Sequence, residues 1–177
     1  MLTDRSPLMS YVRALYPVGA ALVLFPLSDI FSRFFPANLH NLQWRFAVLG
    51  LGMSSMSVMI IGVALLGLVA AMRENRPLLR VLAIYSALIA IALLAALGLF
   101  GLDTLQLRGL VRNPAAKPQI TKMAVTAGIA GVLHLIAFIS LTIGLWRATR
   151  RMSAVKASSN TPAAPVIVYS GAEKARV

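Results

Sequence analysis

The chain has 177 residues, of which 59% are hydrophobic and only 12% are charged. A soluble domain carries about 25% charged residues, so this composition excludes an ordinary water-soluble fold. The net charge of +12 would suggest nucleic-acid binding in a soluble protein, but here the basic residues lie at the ends of long apolar runs. Basic residues in such places contact lipid headgroups. We therefore expect membrane lipids as partners, and no nucleic acid.

The chain contains four apolar stretches, each long enough to cross the ~30 Å hydrocarbon core of a bilayer as an α-helix. The sequence predicts helices at about 12–35, 46–72, 78–102 and 123–147, with the longest connection between Asp103 and Lys122. The expected fold class is all-α, with a four-helix integral membrane domain over residues 1–152. Residues 153–177 are polar and rich in alanine, serine and proline, which predicts a disordered or partner-docked C-terminal tail.

The basic residues near the predicted helix ends indicate the orientation. Nine of them lie on the side that holds both termini, and six lie on the opposite side. Because cytoplasmic loops carry an excess of lysine and arginine, both termini are predicted to be cytoplasmic. Arginine outnumbers lysine by thirteen to four, a bias typical of GC-rich bacteria, so the expected location is a bacterial inner membrane.

The absence of cysteine excludes disulfides and thiolate metal sites within the chain.

His134 lies near the middle of the fourth apolar stretch, where a polar side chain is costly unless it has a partner. A neutral imidazole there can ligate a haem iron or a chlorophyll-type pigment, so His134 is a candidate cofactor-binding residue. The interpretation that we favour is a hydrogen bond across the bundle. Ser57 lies at a similar depth, counted inward from the outer helix ends. The two residues also fit an intramembrane hydrolase, but no orienting third group or nucleophile motif accompanies them.

A polar rim on the outer face is the candidate contact surface for a partner protein or for lipid headgroups. Its members are Asp29, Arg33, Trp44, Arg45, Asp103 and Arg108. Asp29 and Arg33 have the i, i+4 spacing of a helical ion pair. Both acids of the rim are expected near the membrane interface, which leaves His134 as the one ionisable residue at mid-depth. That distribution disfavours a proton-coupled transporter.

Two further features suggest contacts with other proteins. Pairs of small residues four positions apart recur in the last three apolar stretches, and this spacing lets helix backbones approach closely. The tail contains a β-prone apolar patch that can add to a sheet edge or fill a groove. The patch consists of Val166, Ile167, Val168 and Tyr169.

The segment Gln43-Trp44-Arg45-Phe46 before the second apolar run and the segment 102–108 after the third resemble HpsJ-type bacterial membrane proteins linked to polysaccharide export. The resemblance covers the four-helix part and implies a bacterial accessory protein.

The leading hypothesis is a non-catalytic accessory or assembly subunit of a photosynthetic, respiratory or polysaccharide-export complex. The alternative is a pigment-, haem- or lipid-binding protein that uses His134 or the outer rim. The third possibility is a small transporter or an intramembrane enzyme.

Overall fold

The structure is a computed structural model that describes residues 7–112 and 116–159, with side chains described between Ala14 and Ser153 except at Ser54. Its elements in these ranges are all α-helices: α1 Pro7–Phe34, α2 Leu42–Met72, α3 Arg76–Leu110 and α4 Ala116–Ser159. All four helices are long and apolar enough to cross a membrane. The all-α, four-helix prediction is thereby confirmed for the described ranges.

The helices are longer than the apolar stretches that predicted them. α3 continues past Leu102 to Leu110, and α4 begins at Ala116 and continues to Ser159. The segment expected to be a long connection, residues 103–122, is therefore mostly helical, and residues 153–159 of the expected tail belong to α4. Hydropathy identifies only the apolar part of a helix, which is the part that can lie in the hydrocarbon core of a membrane. Polar residues such as lysine, arginine and glutamine continue a helix readily, so the helix does not end where the apolar run ends.

The connection between α2 and α3 is a tight hairpin at residues 73–75. The amide of Glu74 donates to the carbonyl of Ala71 at 3.1 Å. The amide of Asn75 donates to the carbonyl of Ala70 at 2.8 Å. These two bonds form a Schellman motif, in which one residue adopts the left-handed region, here Glu74 at φ 52°. Asn75 then caps α3, because its side-chain oxygen accepts the amide of Leu78 at 3.2 Å.

α2 is the central helix of the molecule. α3 and α4 pack against each other and against α2, whereas α1 contacts only α2 within the described ranges. α2 and α4 run parallel, since Ser57 lies beside His134 and Gly67 lies beside Leu145 further along both helices. The main core fills the space among α2, α3 and α4 and includes Met59, Val63, Leu79, Leu93 and Phe138. The fold is therefore a three-helix bundle with α1 attached to its side.

The contact between α1 and α2 depends on two glycines. A Cβ atom added at Gly62 would lie 2.9 Å from the backbone carbonyl carbon of Leu22 and 2.9 Å from Cγ2 of Val23. A Cβ atom added at Gly19 would lie 2.8 Å from Cγ of Leu66. The first of these clashes involves backbone, which a rotamer change cannot relieve. The absence of a side chain at Gly62 thus sets how closely α1 approaches α2.

The helix ends define two ends of the molecule. The terminal end holds Pro7, the 73–75 hairpin and Ser159, and the distal end holds the 35–41 connection, the end of α3 and the start of α4. Aromatic contacts close the distal end. Phe46 stacks on Phe100 with ring centroids 5.0 Å apart, and Phe34 meets Trp44 edge to face at 5.9 Å.

Candidate functional site

The histidine that the sequence singles out forms a hydrogen bond between two helices. Oγ of Ser57 lies 2.8 Å from Nε2 of His134, as the depth count predicted. Ser57 is the middle residue of α2. The other ring nitrogen of His134, Nδ1, is buried and has no hydrogen-bond partner among the described residues. A pigment or haem ligated by His134 would have to displace Ser57 or reach Nδ1, so the cofactor role stays a prediction.

Asp29 makes a second polar contact close to the middle of α2. Its carboxylate accepts the hydroxyl of Ser55 at 2.5 Å and Nε of Arg33 at 3.0 Å. Ser55 and Ser57 are two residues apart, about 3 Å along the helix axis, so Asp29 lies at nearly the level of His134. Asp29 therefore lies nearer the middle of α2 than Trp44 and Arg45, the members of the predicted outer rim that belong to α2. The end of α1 overlaps α2 along its length, since Phe34 lines one groove together with Val48 and Gly52.

The two serines of α2 face different neighbours. Two residues turn an α-helix by about 200°, so Ser55 and Ser57 lie on opposite sides of α2. Ser55 meets α1, and Ser57 meets α4. The third neighbour, α3, is joined to the same region by the hydroxyl of Tyr85, which donates to Sδ of Met59 at 3.2 Å. One polar contact therefore links α2 to each of the other helices at about one level. We call this set the central polar layer: Asp29, Arg33, Ser55, Ser57, Met59, Tyr85 and His134.

Arg45 and Asp103 form an ion pair at the distal end. Nη2 of Arg45 donates to Oδ1 of Asp103 at 2.7 Å, and Nη1 donates to the carbonyl of Leu39 at 3.2 Å. The side chain of Asp103 is only 4% exposed, and that of Arg45 is 34% exposed. The contact joins α2 to α3. Because the two charges neutralise each other, this pair presents no net charge to a ligand.

The residues predicted as one outer rim occupy four separate places: Asp29 with Arg33, Arg45 with Asp103, Trp44 against Phe34, and Arg108 alone. The structure does not bring these side chains together as one docking surface. Of these six rim residues, Arg108 is the one that is exposed and has no ion-pair partner within the described ranges. It lies in the last turn of α3, next to the start of α4.

A basic cleft lies between the end of α3 and the start of α4. Its volume is about 540 Å³, and its lining consists of Arg108, Lys117, Pro118, Thr121, Lys122, Val125 and Thr126. Neither lysine is among the predicted site residues. The sequence placed both in a connection, where their relative positions are undefined. In the structure, Lys117 and Lys122 both belong to α4 and line the same cleft. A sequence prediction that began α4 at residue 116 would have placed both lysines on one helix and could have indicated the cleft.

Two apolar grooves flank α2. The first, of about 250 Å³, lies between α1 and α3 and has Gly52, Met53 and Met56 of α2 in its lining. The second, of about 460 Å³, lies between α2 and α4 and is lined in part by Gly67 and Gly144. The first groove is open because α1 does not contact α3 in the described ranges. Small and flexible apolar side chains of this kind suit close contact with another helix.

Comparison with known proteins gives no assignment. No protein-family model, curated protein or solved structure matches the chain. Within residues 7–112 and 116–159, no group of three or more histidine, aspartate or glutamate side chains is arranged to hold a metal ion. The predicted tail patch, Val166 to Tyr169, lies outside the described residues. The candidate sites are therefore the central polar layer, the two grooves and the basic cleft.

Proposed function

We propose that the chain crosses a membrane four times and acts as a non-catalytic subunit that packs against other integral membrane proteins. The observation that carries this proposal is the pair of apolar grooves beside α2, one of which is open because α1 contacts no helix other than α2 within the described ranges. Helices associate in membranes through close packing and interhelical hydrogen bonds rather than through the hydrophobic effect. Grooves lined by small and flexible residues supply the close packing that a partner helix needs.

The central polar layer supports a structural role for the polar residues. Ser55 and Ser57 each bond to a side chain of a neighbouring helix, and so connect α2 to α1 and α4. A hydrolytic site needs a nucleophile, a base and a group that orients the base. His134 has Ser57 on one nitrogen, but no orienting group on the other among the described residues. We infer from this arrangement that the two residues hold the helices together.

We place both termini on the cytoplasmic side of a bacterial inner membrane. Four crossings return a chain to the side on which it starts. The terminal end also carries more basic residues than the distal end, which favours its placement in the cytoplasm.

A second candidate function is the binding of a pigment or haem. The observation in its favour is the buried Nδ1 of His134, which lacks a hydrogen-bond partner in the described part of the chain. A buried polar atom without a partner is costly, and coordination of a metal centre would satisfy it.

The test is purification of the tagged protein from its native membrane in a mild detergent. Mass spectrometry and an absorption spectrum are recorded on the same fraction. Larger membrane subunits that co-purify in fixed stoichiometry would support the subunit role and name the complex. A colourless protein that purifies alone would contradict it. A visible absorption band that disappears in His134→Ala, while Thr142→Ala retains it, would establish the second candidate instead.

A further inference from the structure

We infer that the basic cleft at the distal end binds the phosphate group of an anionic phospholipid. This inference goes beyond the proposed subunit role and does not depend on it. It rests on three features of the cleft: its uncompensated charge, the position of its lysines at the start of α4, and the apolar strip that continues from it along α4.

The cleft concentrates positive charge from two helices. Arg108 comes from the last turn of α3, and Lys117 and Lys122 come from the start of α4. No acidic side chain forms an ion pair with any of the three within the described ranges. Two other arginines of this half of the molecule differ from these three residues, since Arg33 and Arg45 each have an aspartate oxygen within 3.0 Å. The unbalanced charge favours an anionic ligand in the cleft.

The beginning of α4 adds to this preference. Lys117 is the second residue of the helix, and the first turn contains no acidic residue. The positive end of the helix dipole is therefore not offset by a carboxylate. The hydroxyls of Thr121 and Thr126 donate to backbone carbonyls of their own helix at 2.9 Å. The side chains of Arg108, Lys117 and Lys122 are thus the donors of the cleft that remain for a phosphate group.

An apolar strip continues from the cleft towards the middle of the molecule. Val125 belongs to the cleft lining, and Ile129 and Val132 follow it at helical spacing on the same side of α4. Their side chains are 53%, 57% and 48% exposed. A ligand that fills the cleft with its phosphate can lay a hydrocarbon chain along this strip. Free phosphate would use only the charges, so the combined surface favours a phospholipid.

The test uses the full chain in detergent micelles that contain equal amounts of phosphatidylglycerol and phosphatidylcholine with identical acyl chains. Native mass spectrometry counts the lipids that each protein retains. We expect the wild-type chain to retain phosphatidylglycerol, and Lys117→Gln/Lys122→Gln to bind it roughly tenfold more weakly. The matched control, Arg147→Gln/Arg151→Gln, removes two exposed charges at the terminal end and should bind phosphatidylglycerol like the wild type.

Three outcomes would overturn the inference. The first is equal phosphatidylglycerol binding by the lysine variant and the wild type. The second is an equal loss in the control variant, which would show a response to overall charge only. The third is displacement of the lipid by an equal concentration of inorganic phosphate, which would assign the cleft to a free phosphate. Circular dichroism and elution volume would check that both variants are folded, which we expect because all four altered side chains are exposed.

Discussion

Ser57 and His134 illustrate what a single polar contact contributes between apolar helices. Neither residue has water to satisfy it if the helices lie in lipid, so each depends on the other. Double-mutant cycles in other membrane proteins give about 0.6 kcal/mol on average for such bonds and about 1.7 kcal/mol at most. The contribution is modest because an unfolded chain in a membrane also finds hydrogen-bond partners.

We expect Ser57→Ala and His134→Ala to be coupled by about 0.5–1.5 kcal/mol in a double-mutant cycle. The measured quantity is the free energy of unfolding in lipid bicelles. Thr142→Ala is the matched control, because the hydroxyl of Thr142 donates to the carbonyl of Phe138 in its own helix. That variant should show no coupling to His134→Ala. A coupling energy of zero between Ser57 and His134 would show that their hydrogen bond does not stabilise the fold.

The polar contacts of α2 differ in how well the sequence predicts them. The Ser57–His134 contact is predictable, because α2 and α4 are parallel and their apolar stretches begin at one level. The Ser55–Asp29 contact is not, because it depends on how far α1 reaches along α2. The pairing of Arg45 with Asp103 also escapes the sequence, since it requires α3 to continue as a helix beyond the apolar run. Side-chain pairs become predictable only when helix ends and their relative levels are known.

At the scale of elements, the contact between α1 and α2 is the helix contact that we expect to be most sensitive to a single substitution. α1 has no other helix to hold it in the described ranges, and Gly62 allows its backbone to approach closely. The sequence shows that small residues are frequent, but not which of them lies in a contact. Gly62 and Gly98 look equivalent in the sequence, yet a Cβ atom added at Gly98 would meet nothing within 4 Å. Only the packing distinguishes them.

We expect Gly62→Ala to lower the free energy of unfolding by about 1–3 kcal/mol, since the added methyl group overlaps the backbone of Leu22. Gly98→Ala should be neutral or stabilising by up to about 1 kcal/mol, because alanine is the better helix former. A second readout follows the α1–α2 contact itself. The pair Asp29→Cys and Ser55→Cys should cross-link readily in the parent chain and less in the Gly62→Ala background. Equal cross-linking in both backgrounds would contradict the role of Gly62.

For the whole molecule, the sequence predicts the number and type of elements because hydropathy and helix length are local properties. It does not predict that the helices form a three-helix bundle with one attached helix. That arrangement depends on the shapes of side chains at particular contacts, which periodicity does not encode. The four helices nevertheless have a consequence that can be measured, since the start of α1, the end of α4 and the 73–75 hairpin share one end of the molecule.

The absence of native cysteine makes this topology easy to test with single cysteines. A membrane-impermeant maleimide should label Asn38→Cys in intact spheroplasts and should label Glu74→Cys only after permeabilisation. The parent chain, which has no thiol, is the control and should remain unlabelled. Labelling of both positions from the outside would contradict four crossings with cytoplasmic termini. The reverse pattern would keep the crossings and invert the orientation.

The order in which the ribosome makes the helices determines which helix contacts can form first. α1 packs against the helix that follows it directly, so this pair is complete once α2 has emerged. α4, the parallel neighbour of α2, is made after α1, α2 and α3. At 5–20 residues per second, the other side of α2 lacks α4 for on the order of ten seconds. During that interval Ser57 is exposed without His134 as its partner. This is the earliest time at which a partner protein can bind that side of α2.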